Sequence, residues 1–594
     1  MKRDPAGLGR RLMTGVGLLT LASLILEHGL EFGPAVLGFL HWLESGLALC
    51  YVIDRVLLLW HEPRRLEVLR YGRYEYALLL VCIVLGISLI LSHEWAMRLV
   101  GFLHLSASED LFLGLLQLFL VGNVLIQILR LQQHILARRI RPEWTLIGSF
   151  ALVVVVGSLL LLLPKACAVP EKPIRLVDAL FTATSATCVT GLSVRDTGSA
   201  FSLFGQVVIM ALIQVGGLGI VTFVAFLALT TSDSLPIIHR HIFRYAMSTR
   251  SMGDLKRHVG VVILFTALIE LIGAACMYIF LPAHMDPLRR AFWSVFHSIS
   301  AFCNAGFALQ RNNLMNFQTQ GGMMVTFMGL IILGGLGFLV VADLISIRVT
   351  RLPIIRRVPA VRRFNEQVPV YRLPLQTRLS LIVTAALLVL GVAGFWWLES
   401  GYLLQNKSVL ARFWISAFQS VTCRTAGFNT VPMDQLQPAT MVLLMGLMAV
   451  GACPVSTGGG IKTVTLGVLV LALRTVVRGR ERVEVFGRAL PQKVIFTALS
   501  IALLYVTTAS VGTFALACFD PKIPLPNQAF EVISALSTVG LSTGITPQLS
   551  TGSKLVLCIA MFVGRVGPIS LVLSVFQSSA KGRYQYPEED LVVG

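Results

Sequence analysis

The sequence predicts an all-α membrane protein in which four pseudo-repeated helix–pore-loop–helix units surround a central pore, after four N-terminal transmembrane helices. One observation is composition: 55% of the 594 residues are hydrophobic, 13% are charged, and the mean hydropathy is +0.78. These values are typical of a polytopic membrane protein. A second observation is that basic residues collect between apolar segments, as at Arg356, Arg357, Arg362 and Arg363, which is typical of cytoplasmic loops. The third is an internal repeat.

The repeat is a stretch of hydroxyl-bearing and small residues that ends on a glycine. Its four copies begin at Phe181, Phe296, Phe418 and Phe530 and end at Gly191, Gly306, Gly427 and Gly540. The glycines are about 115, 121 and 113 residues apart, and a nearly fixed period indicates repeated structural units. Each copy lies between two long apolar segments. Non-helical chain at membrane depth persists only where protein or a water-filled path satisfies its backbone.

Residues 1–144 form the N-terminal region. Its apolar segments, at 12–28, 35–60, 76–93 and 110–131, are each near the ~20 residues that a helix needs to span a membrane. A voltage sensor would carry arginines inside the fourth segment, but Arg130 lies only at its end. We therefore expect these four helices to pack around the core. The basic clusters at 2–11 and after the second and fourth segments predict a cytoplasmic N-terminus.

The core consists of four pore repeats, each predicted as helix, re-entrant loop, helix. Repeats one to four cover 145–230, 257–347, 376–474 and 492–594, the last including the C-terminal tail. Basic linkers predict that both ends of every repeat are cytoplasmic, so that the loops enter the membrane from outside. With the N-terminal region, this gives twelve membrane spans. The second helices of repeats one and two are predicted over 202–230 and 321–347, and that of repeat four over 553–578.

The end of each loop is a candidate cation site. A dehydrated cation needs oxygen dipoles, which rings of backbone carbonyls supply, and glycine tolerates the backbone conformations that aim carbonyls along one axis. The short helix before each loop, such as 176–187, would direct its partly negative C-terminus toward the ion. One such loop alone would be interpreted as a tight turn; four in register favour an ion pathway. The predicted selectivity-filter residues are Cys188, Val189, Thr190, Gly191, Cys303, Asn304, Ala305, Gly306, Arg424, Thr425, Ala426, Gly427, Ser537, Thr538, Val539 and Gly540.

These loops resemble those of the Ktr/Trk/HKT superfamily of potassium transporters, most nearly the bacterial Ktr-type membrane subunit. Further matching stretches are Gln214–Gly219, Leu333–Phe338, Ser456–Lys462, Gly564–Pro568 and Tyr586–Gly594. The resemblance covers about 145–594 and leaves the four N-terminal helices outside. It implies potassium transport. A serine in place of the first filter glycine accompanies sodium transport in some plant members, whereas this chain has Gly191 there. It also implies a homodimer in the bacterial inner membrane, with cytoplasmic termini and a cytosolic nucleotide-binding ring of RCK type.

Repeat three contains a segment that should not be helical. Pro454 removes a backbone donor and Gly458, Gly459 and Gly460 follow one another, so an irregular segment facing a cavity is expected. The resemblance implies a gating loop here, although Val455 stands where relatives often have a small residue. The predicted gating residues are Ser456, Thr457, Gly458, Gly459, Gly460, Lys462 and Arg565. Arg565 and Lys462 either raise the barrier to a permeating cation or, for Arg565, hold the loop through its carbonyls; the two roles are compatible.

The sequence leaves few other functions open. A sodium-conducting or weakly selective transporter of the same family stays open. A polytopic membrane enzyme or scaffold is disfavoured because no cluster of His, Asp and Glu or nucleophile stands out, and no nucleotide-binding fingerprint is present, so no organic cofactor is expected. Nucleic-acid binding is disfavoured, since the net charge of +19 lies in loops between spans. Glu531 was expected to start the fourth pore helix, and Glu270 to have a buried structural partner.

Overall fold

The computed structural model describes residues 142–168, 174–230, 253–282, 284–338, 340–344 and 373–567, together with scattered positions between 16 and 53. The predicted N-terminal helices, apart from those positions, and the C-terminal tail from residue 568 therefore lie outside the described residues, as do the linkers 231–252 and 345–372. The described chain is all-α except for a hairpin in which Glu484–Val485 pairs antiparallel with Arg488–Ala489.

The helices follow the predicted order of helix, short helix and helix. Repeat one contains α1 (Pro142–Leu161), α2 (Leu176–Thr187) and α3 (Leu203–Thr230). Repeat two contains α4 (Gly253–Phe280), α5 (Pro287–Phe302) and α6 (Gly321–Leu336). Repeat three contains α7 (Leu375–Glu399), α8 (Val409–Thr422), α9 (Pro438–Ala449) and α10 (Thr463–Val477). Repeat four contains α11 (Gln492–Phe519), α12 (Leu525–Leu536) and α13 (Thr551–Val566). Single turns occur at Pro164–Ala166, Thr197–Ala200, Met315–Phe317, Met433–Gln435 and Thr546–Gln548.

Local sequence explains where several helices begin. Asp286 caps α5 by accepting a hydrogen bond from the Arg289 amide at 3.0 Å, and Pro287 occupies the first helical position, where its missing N–H costs nothing. Ser408 caps α8 in the same way through the Ala411 amide at 3.3 Å, and Ser550 caps α13. The capping side chain supplies an acceptor to a helix end that would otherwise leave a donor unsatisfied.

Three described helical segments are long and apolar enough to cross a membrane, namely Val262–Phe280, Leu375–Glu399 and Gln492–Phe519. Five more apolar helices are shorter: Ile147–Leu161, Leu203–Gly219, Gly321–Leu336, Pro438–Ala449 and Thr463–Val477. The prediction of one uninterrupted helix over 321–347 is wrong, because α6 ends at Leu336, Gly337 (φ 78°) interrupts it, and helical residues return at 338 and 340–344. Likewise α13 ends at Gly567 (φ 93°), within the predicted 553–578. A glycine with positive φ lets the chain leave a helix without a Cβ clash.

The chain divides into two compact units. One consists of Met1–Ile140 with Leu159–Ile174 and Phe201–Gln206, where Cys167 and Phe201 form an antiparallel bridge. The other consists of Arg141–Ser158, Arg175–Ala200 and Val207–Gly594, and it contains all four glycine-ended loops. Its core includes the four phenylalanines that begin the loop motif, each with none of its surface exposed: Phe181, Phe296, Phe418 and Phe530. Burial of these rings fixes the short helices that carry the loops.

Candidate functional site

The four short helices α2, α5, α8 and α12 each run directly into a glycine-ended loop. A hydroxyl in the last turns of each helix fastens the loop to it. The Gly191 amide donates to Ser185 Oγ at 3.1 Å, and the Gly540 amide donates to Ser534 Oγ at 3.0 Å. In the other two repeats the hydroxyl donates to the carbonyl after the glycine: Ser300 Oγ to Phe307 at 2.8 Å and Thr422 Oγ1 to Phe428 at 2.6 Å. The hydroxyls of the repeat motif therefore position the loops.

The loops share one backbone conformation. Each glycine has positive φ: 98° at Gly191, 71° at Gly306, 77° at Gly427 and 93° at Gly540. The residue two positions earlier also has positive φ, although it is not glycine: 58° at Val189, 60° at Asn304, 70° at Thr425 and 52° at Thr538. This conformation is strained, above all for β-branched residues, and strain of this kind clusters at functional sites. Its fourfold recurrence indicates a shared geometric requirement.

The four glycines lie next to one another in a closed order. A methyl group on Gly191 would lie 2.9 Å from the Cα of Gly306, and one on Gly306 would lie 3.0 Å from the Cα of Gly427. A methyl group on Gly427 would lie 3.2 Å from the Cα of Gly540, and one on Gly540 would lie 3.0 Å from the Cα of Gly191. Any side chain at these positions would enter the space that the other glycines share. The structure thus brings the four predicted glycines together around one line.

All four glycines also line one cavity of about 280 Å³. The rest of its wall comes from residues that follow the glycines, including Ser193, Asp196, Asn312 and Asn429. A polar chamber therefore opens onto the side of the glycines where the loops leave the ring. The other twelve predicted filter residues are all buried.

The C-terminal ends of three short helices pack against glycines of the following long helices. A methyl group on Gly216 of α3 would lie 2.0 Å from the Thr187 carbonyl, the last residue of α2. The same contact recurs at 1.9 Å between Gly334 of α6 and the Phe302 carbonyl, and at 1.9 Å between Gly564 of α13 and the Leu536 carbonyl. Small residues allow such approach between membrane helices. These close contacts therefore fix the position of each loop relative to the long helix that follows it.

Repeat three replaces this contact with a non-helical stretch between α9 and α10, here called the gating segment (Val450–Lys462). Its ends are tied together, because the Gly451 amide donates to the Ile461 carbonyl at 2.9 Å and the Ile461 amide to the Ala449 carbonyl at 3.1 Å. Val455 takes φ 57° within it. The segment also bonds to repeat two, where the Cys453 amide donates to the Gly335 carbonyl at 3.0 Å and Phe338 N to the Val455 carbonyl at 3.3 Å.

Three cations bond to carbonyls of the gating segment. Arg565, which is 3% exposed, donates to the Thr457 carbonyl and also to the Gly216 carbonyl of α3. Lys462 Nζ donates to the Gly458 carbonyl at 2.5 Å. Arg424 Nη2 donates to the Gly451 carbonyl at 3.5 Å, and its buried Nε has no hydrogen-bond partner among the described residues. The side chain of Arg424 is thus directed to the segment, so only its backbone could serve an ion in the ring.

Glu531 and Glu270, the two acids that the sequence singled out, have different surroundings. Glu531 lies in the middle of α12 and is fully buried, so the expectation that it starts this helix is wrong. Its carboxylate accepts hydrogen bonds from Ser542 and Thr546, which lie beyond the glycine, so it holds the returning chain. Glu270 accepts a hydrogen bond from Gln214 Nε2 at 3.1 Å and lies 3.8 Å from the Cys303 sulfur.

Comparison with known proteins places the chain in a family. The family model TrkH, described as "Cation transport protein", matches residues 112–583. The match begins inside the predicted N-terminal region, so the expectation that the resemblance starts only at about 145 is wrong. The Ktr system potassium uptake protein B of Bacillus subtilis is 34% identical over 458 residues, which cover 77% of this chain and 97% of that protein. The potassium/sodium uptake protein NtpJ of Enterococcus hirae is 32% identical over 466 residues, covering 77% and 98%.

A solved structure agrees in fold. The crystal structure of the potassium transporter TrkH from Vibrio parahaemolyticus matches with a TM-score of 0.58, covering 85% of this chain and 98% of that one at 18% identity. The predicted all-α membrane fold is therefore confirmed. The chain belongs to the TrkH family of cation transport proteins, the membrane transporters to which the Ktr uptake proteins are related.

Proposed function

We propose that this protein takes up potassium across the membrane through a fourfold pseudosymmetric pore. The observation that carries the proposal is the closed order of Gly191, Gly306, Gly427 and Gly540, which together line one polar cavity. Four equivalent backbone stretches in this arrangement can present rings of carbonyl oxygens to a cation that has lost its water.

The filter would consist of the four residues of each loop that end at the glycine. Their alternating backbone conformations allow successive carbonyls to face one axis, and the C-terminal ends of α2, α5, α8 and α12 favour a cation there. Potassium would enter down its electrochemical gradient, which supplies about 2.3 kcal/mol per charge for each 100 mV of membrane potential. Such transport requires no organic cofactor in this chain.

The gating segment would obstruct the path beyond the filter. In support, Ser456 to Gly460 lie in a non-helical stretch that contacts filter residues Thr425 and Thr538, and Lys462 and Arg565 bond to its carbonyls. A buried guanidinium next to a cation path raises the barrier to permeation. Arg565 would therefore both hold the segment and repel the ion, and opening would require these bonds to break.

A sodium-conducting or weakly selective transporter is the second candidate. It is favoured by the similarity to a relative named a potassium/sodium uptake protein. Glycine at all four ring positions favours potassium.

The cellular setting belongs to the same proposal. We include in it a homodimer in a bacterial inner membrane, joined to a cytosolic nucleotide-binding ring of RCK type, as the resemblance of the loops to Ktr-type subunits implies. The basic linkers between repeats support cytoplasmic N- and C-termini. Crosslinking of the purified protein, with and without such a ring, would test the assembly.

Expression in a bacterium that lacks its own potassium uptake systems tests the function. We expect growth at low external potassium, and electrode measurements of net uptake that show a preference for potassium over sodium. Growth equal to that of the empty vector, with the protein present in the membrane, would reject the proposal. Equal uptake of both ions would favour the second candidate.

A further inference from the structure

The filter and the gating segment touch through one set of side chains. These belong to the residues two positions before the glycines, all of which are fully buried: Val189, Asn304, Thr425 and Thr538. Three of the four are polar, and we call Asn304, Thr425 and Thr538 the polar belt. Repeat one has Val189 in the same conformation, so a hydroxyl is not needed to build this backbone.

The polar belt bonds to the gating segment directly. Thr538 Oγ1 accepts a hydrogen bond from the Gly459 amide at 2.9 Å. Gly458 packs so closely on Thr425 that a methyl group there would lie 2.1 Å from Oγ1. The Asn304 amide satisfies both of its atoms when Oδ1 accepts a hydrogen bond from Thr425 Oγ1 at 3.2 Å and Nδ2 donates to the carbonyls of Ala301 at 2.9 Å and Ile331 at 3.2 Å. The belt therefore joins the loops of repeats two and three through Asn304 and Thr425, and it contacts the gating segment through Thr425 and Thr538.

These contacts help to maintain the strained backbone of the filter. A β-branched residue with positive φ costs on the order of 1–3 kcal/mol and persists only where its surroundings enforce it. For Thr538 those surroundings include the Gly459 amide, and for Thr425 they include Gly458 and Asn304. If the segment withdraws, both threonines lose a partner that holds their backbone, and the carbonyls beside them gain freedom. A filter that selects ions by the size of its cavity discriminates less well when its carbonyls are held less firmly.

We propose that Thr538 and Thr425 are positioning residues that make ion selectivity depend on the gating segment. This inference rests on the proposed function and adds to it. The segment then does more than obstruct the path: while docked it fixes the filter spacing that favours potassium, and its movement relaxes that spacing.

The test uses the full-length protein in liposomes, with potassium and sodium fluxes measured separately. Thr538→Val removes the acceptor and introduces the side chain that Val189 already carries at φ 58°, so the fold should tolerate it. We expect the ratio of sodium to potassium flux to rise by about 3- to 10-fold, the factor that corresponds to one hydrogen bond. Thr538→Ser keeps the hydroxyl and should retain the wild-type ratio. Thr326→Val is the matched control, because the Thr326 hydroxyl bonds only within its own helix, to Gly322.

A second pair of variants tests the contact from the other side. A methyl group on Gly459 would lie 2.6 Å from Thr538 Oγ1, so Gly459→Ala should displace the segment and raise the sodium ratio as Thr538→Val does. Thr538→Ala makes room for that methyl group, so adding Gly459→Ala to it should change the ratio by less than Gly459→Ala does alone. Potassium flux in every variant with unchanged ion ratios would overturn the inference and leave the proposed function standing. Absence of potassium flux in the wild-type protein would instead reject the proposed function.

Discussion

Repeats one and three differ most in the long helix that follows the filter. In repeat one, α3 runs unbroken from Leu203 to Thr230, and its Gly216 packs against the last carbonyl of α2. In repeat three the corresponding helix stops at Ala449 and resumes at Thr463. The filters of the two repeats nevertheless have the same signs of φ at Val189 and Gly191 as at Thr425 and Gly427.

The difference shows that glycine has two uses in this fold. In α3 the glycines lie among apolar helix formers, so the helix continues and the missing side chain serves close packing. In repeat three Pro454, Val455 with φ 57° and three consecutive glycines prevent a helix, and the missing side chains serve conformational freedom. The motif of repeat three is also one residue shorter from phenylalanine to glycine, since Phe418 precedes its glycine by nine positions and Phe181 by ten.

The largest effect should come from the filter, which the two repeats share. A methyl group on Gly427 would lie 2.4 Å from the Val539 carbonyl at a φ of 77°, and one on Gly191 would lie 2.5 Å from the Ala305 carbonyl at 98°. We expect either alanine variant to lose ~10-fold or more of potassium uptake, because the strain and the clash act on the ring itself. Gly446→Ala in α9 is the control, because no described heavy atom would lie within 4 Å of its methyl group. Equal uptake by all three variants would show that the ring of glycines does not determine potassium uptake.

Arg565 should have the next largest effect, because it joins the two regions by bonding to Gly216 of repeat one and Thr457 of repeat three. Arg565→Gln removes a buried charge from the path and weakens the hold on the gating segment. We expect potassium flux in liposomes to rise by roughly 3- to 10-fold, because glutamine keeps an N–H donor and only part of the contribution of the charged hydrogen bonds is lost. The flux of Arg565→Lys should rise less, since lysine keeps the charge. If Arg565→Gln lowers thermal stability while flux per folded molecule stays constant, the arginine only holds the segment.

Gly216→Ala tests the packing use of glycine in repeat one. Its methyl group would lie 2.0 Å from the Thr187 carbonyl, so α3 and the end of α2 would have to separate. We expect a loss of about 1–3 kcal/mol of stability, the usual cost of overpacking. Thermal unfolding in detergent would measure it against Gly148→Ala in α1, where a methyl group has no described heavy atom within 4 Å. An unchanged melting temperature for Gly216→Ala would show that the approach is not tight.

The smallest effect should come from Asp520, outside the spans and remote from both regions. Partial burial raises the pKa of this carboxyl, but hydrogen bonds from Ser553 and Ser550 outweigh burial and hold the pKa below its ordinary value. Its contribution is therefore fully present above the ordinary value, about 3.9, and is lost as the pH falls through the lower folded value. Solvent screening keeps the contribution below about 1 kcal/mol. Unfolding from pH 6 to pH 3 should show the wild type losing its advantage over Asp520→Asn; a constant difference would contradict this.

Much of the site could be predicted from sequence because it repeats. The period of the glycines, the bounds of α2 and the break after Ala449 all follow from local residue types. Other features depend on contacts between distant residues. Gly337 and Gly567, which follow the last residues of α6 and α13, could not be distinguished by local pattern from glycines that permit close packing. A glycine in either role is the same residue type in the sequence.

Partners of side chains were also beyond a single sequence. The hydroxyls of Ser185, Ser300, Thr422 and Ser534 fasten the loops, and only their position five or six residues before the glycines could have indicated this role. Arg424 fits the filter motif by count, yet its guanidinium reaches the Gly451 carbonyl 27 positions away. Glu531 was placed wrongly because the start of α12 is set by Pro524 and Leu525 rather than by the acid.

The central claim is that one cation site lies within the ring of Gly191, Gly306, Gly427 and Gly540. Thallium(I) mimics potassium and scatters anomalously, so crystals grown with thallium in place of potassium test the claim directly. We expect an anomalous peak on the line that the four glycines surround, and its loss when an excess of potassium, but not of sodium, competes with thallium. A map with no peak inside the ring, or with its strongest peak elsewhere in the spans, would contradict it.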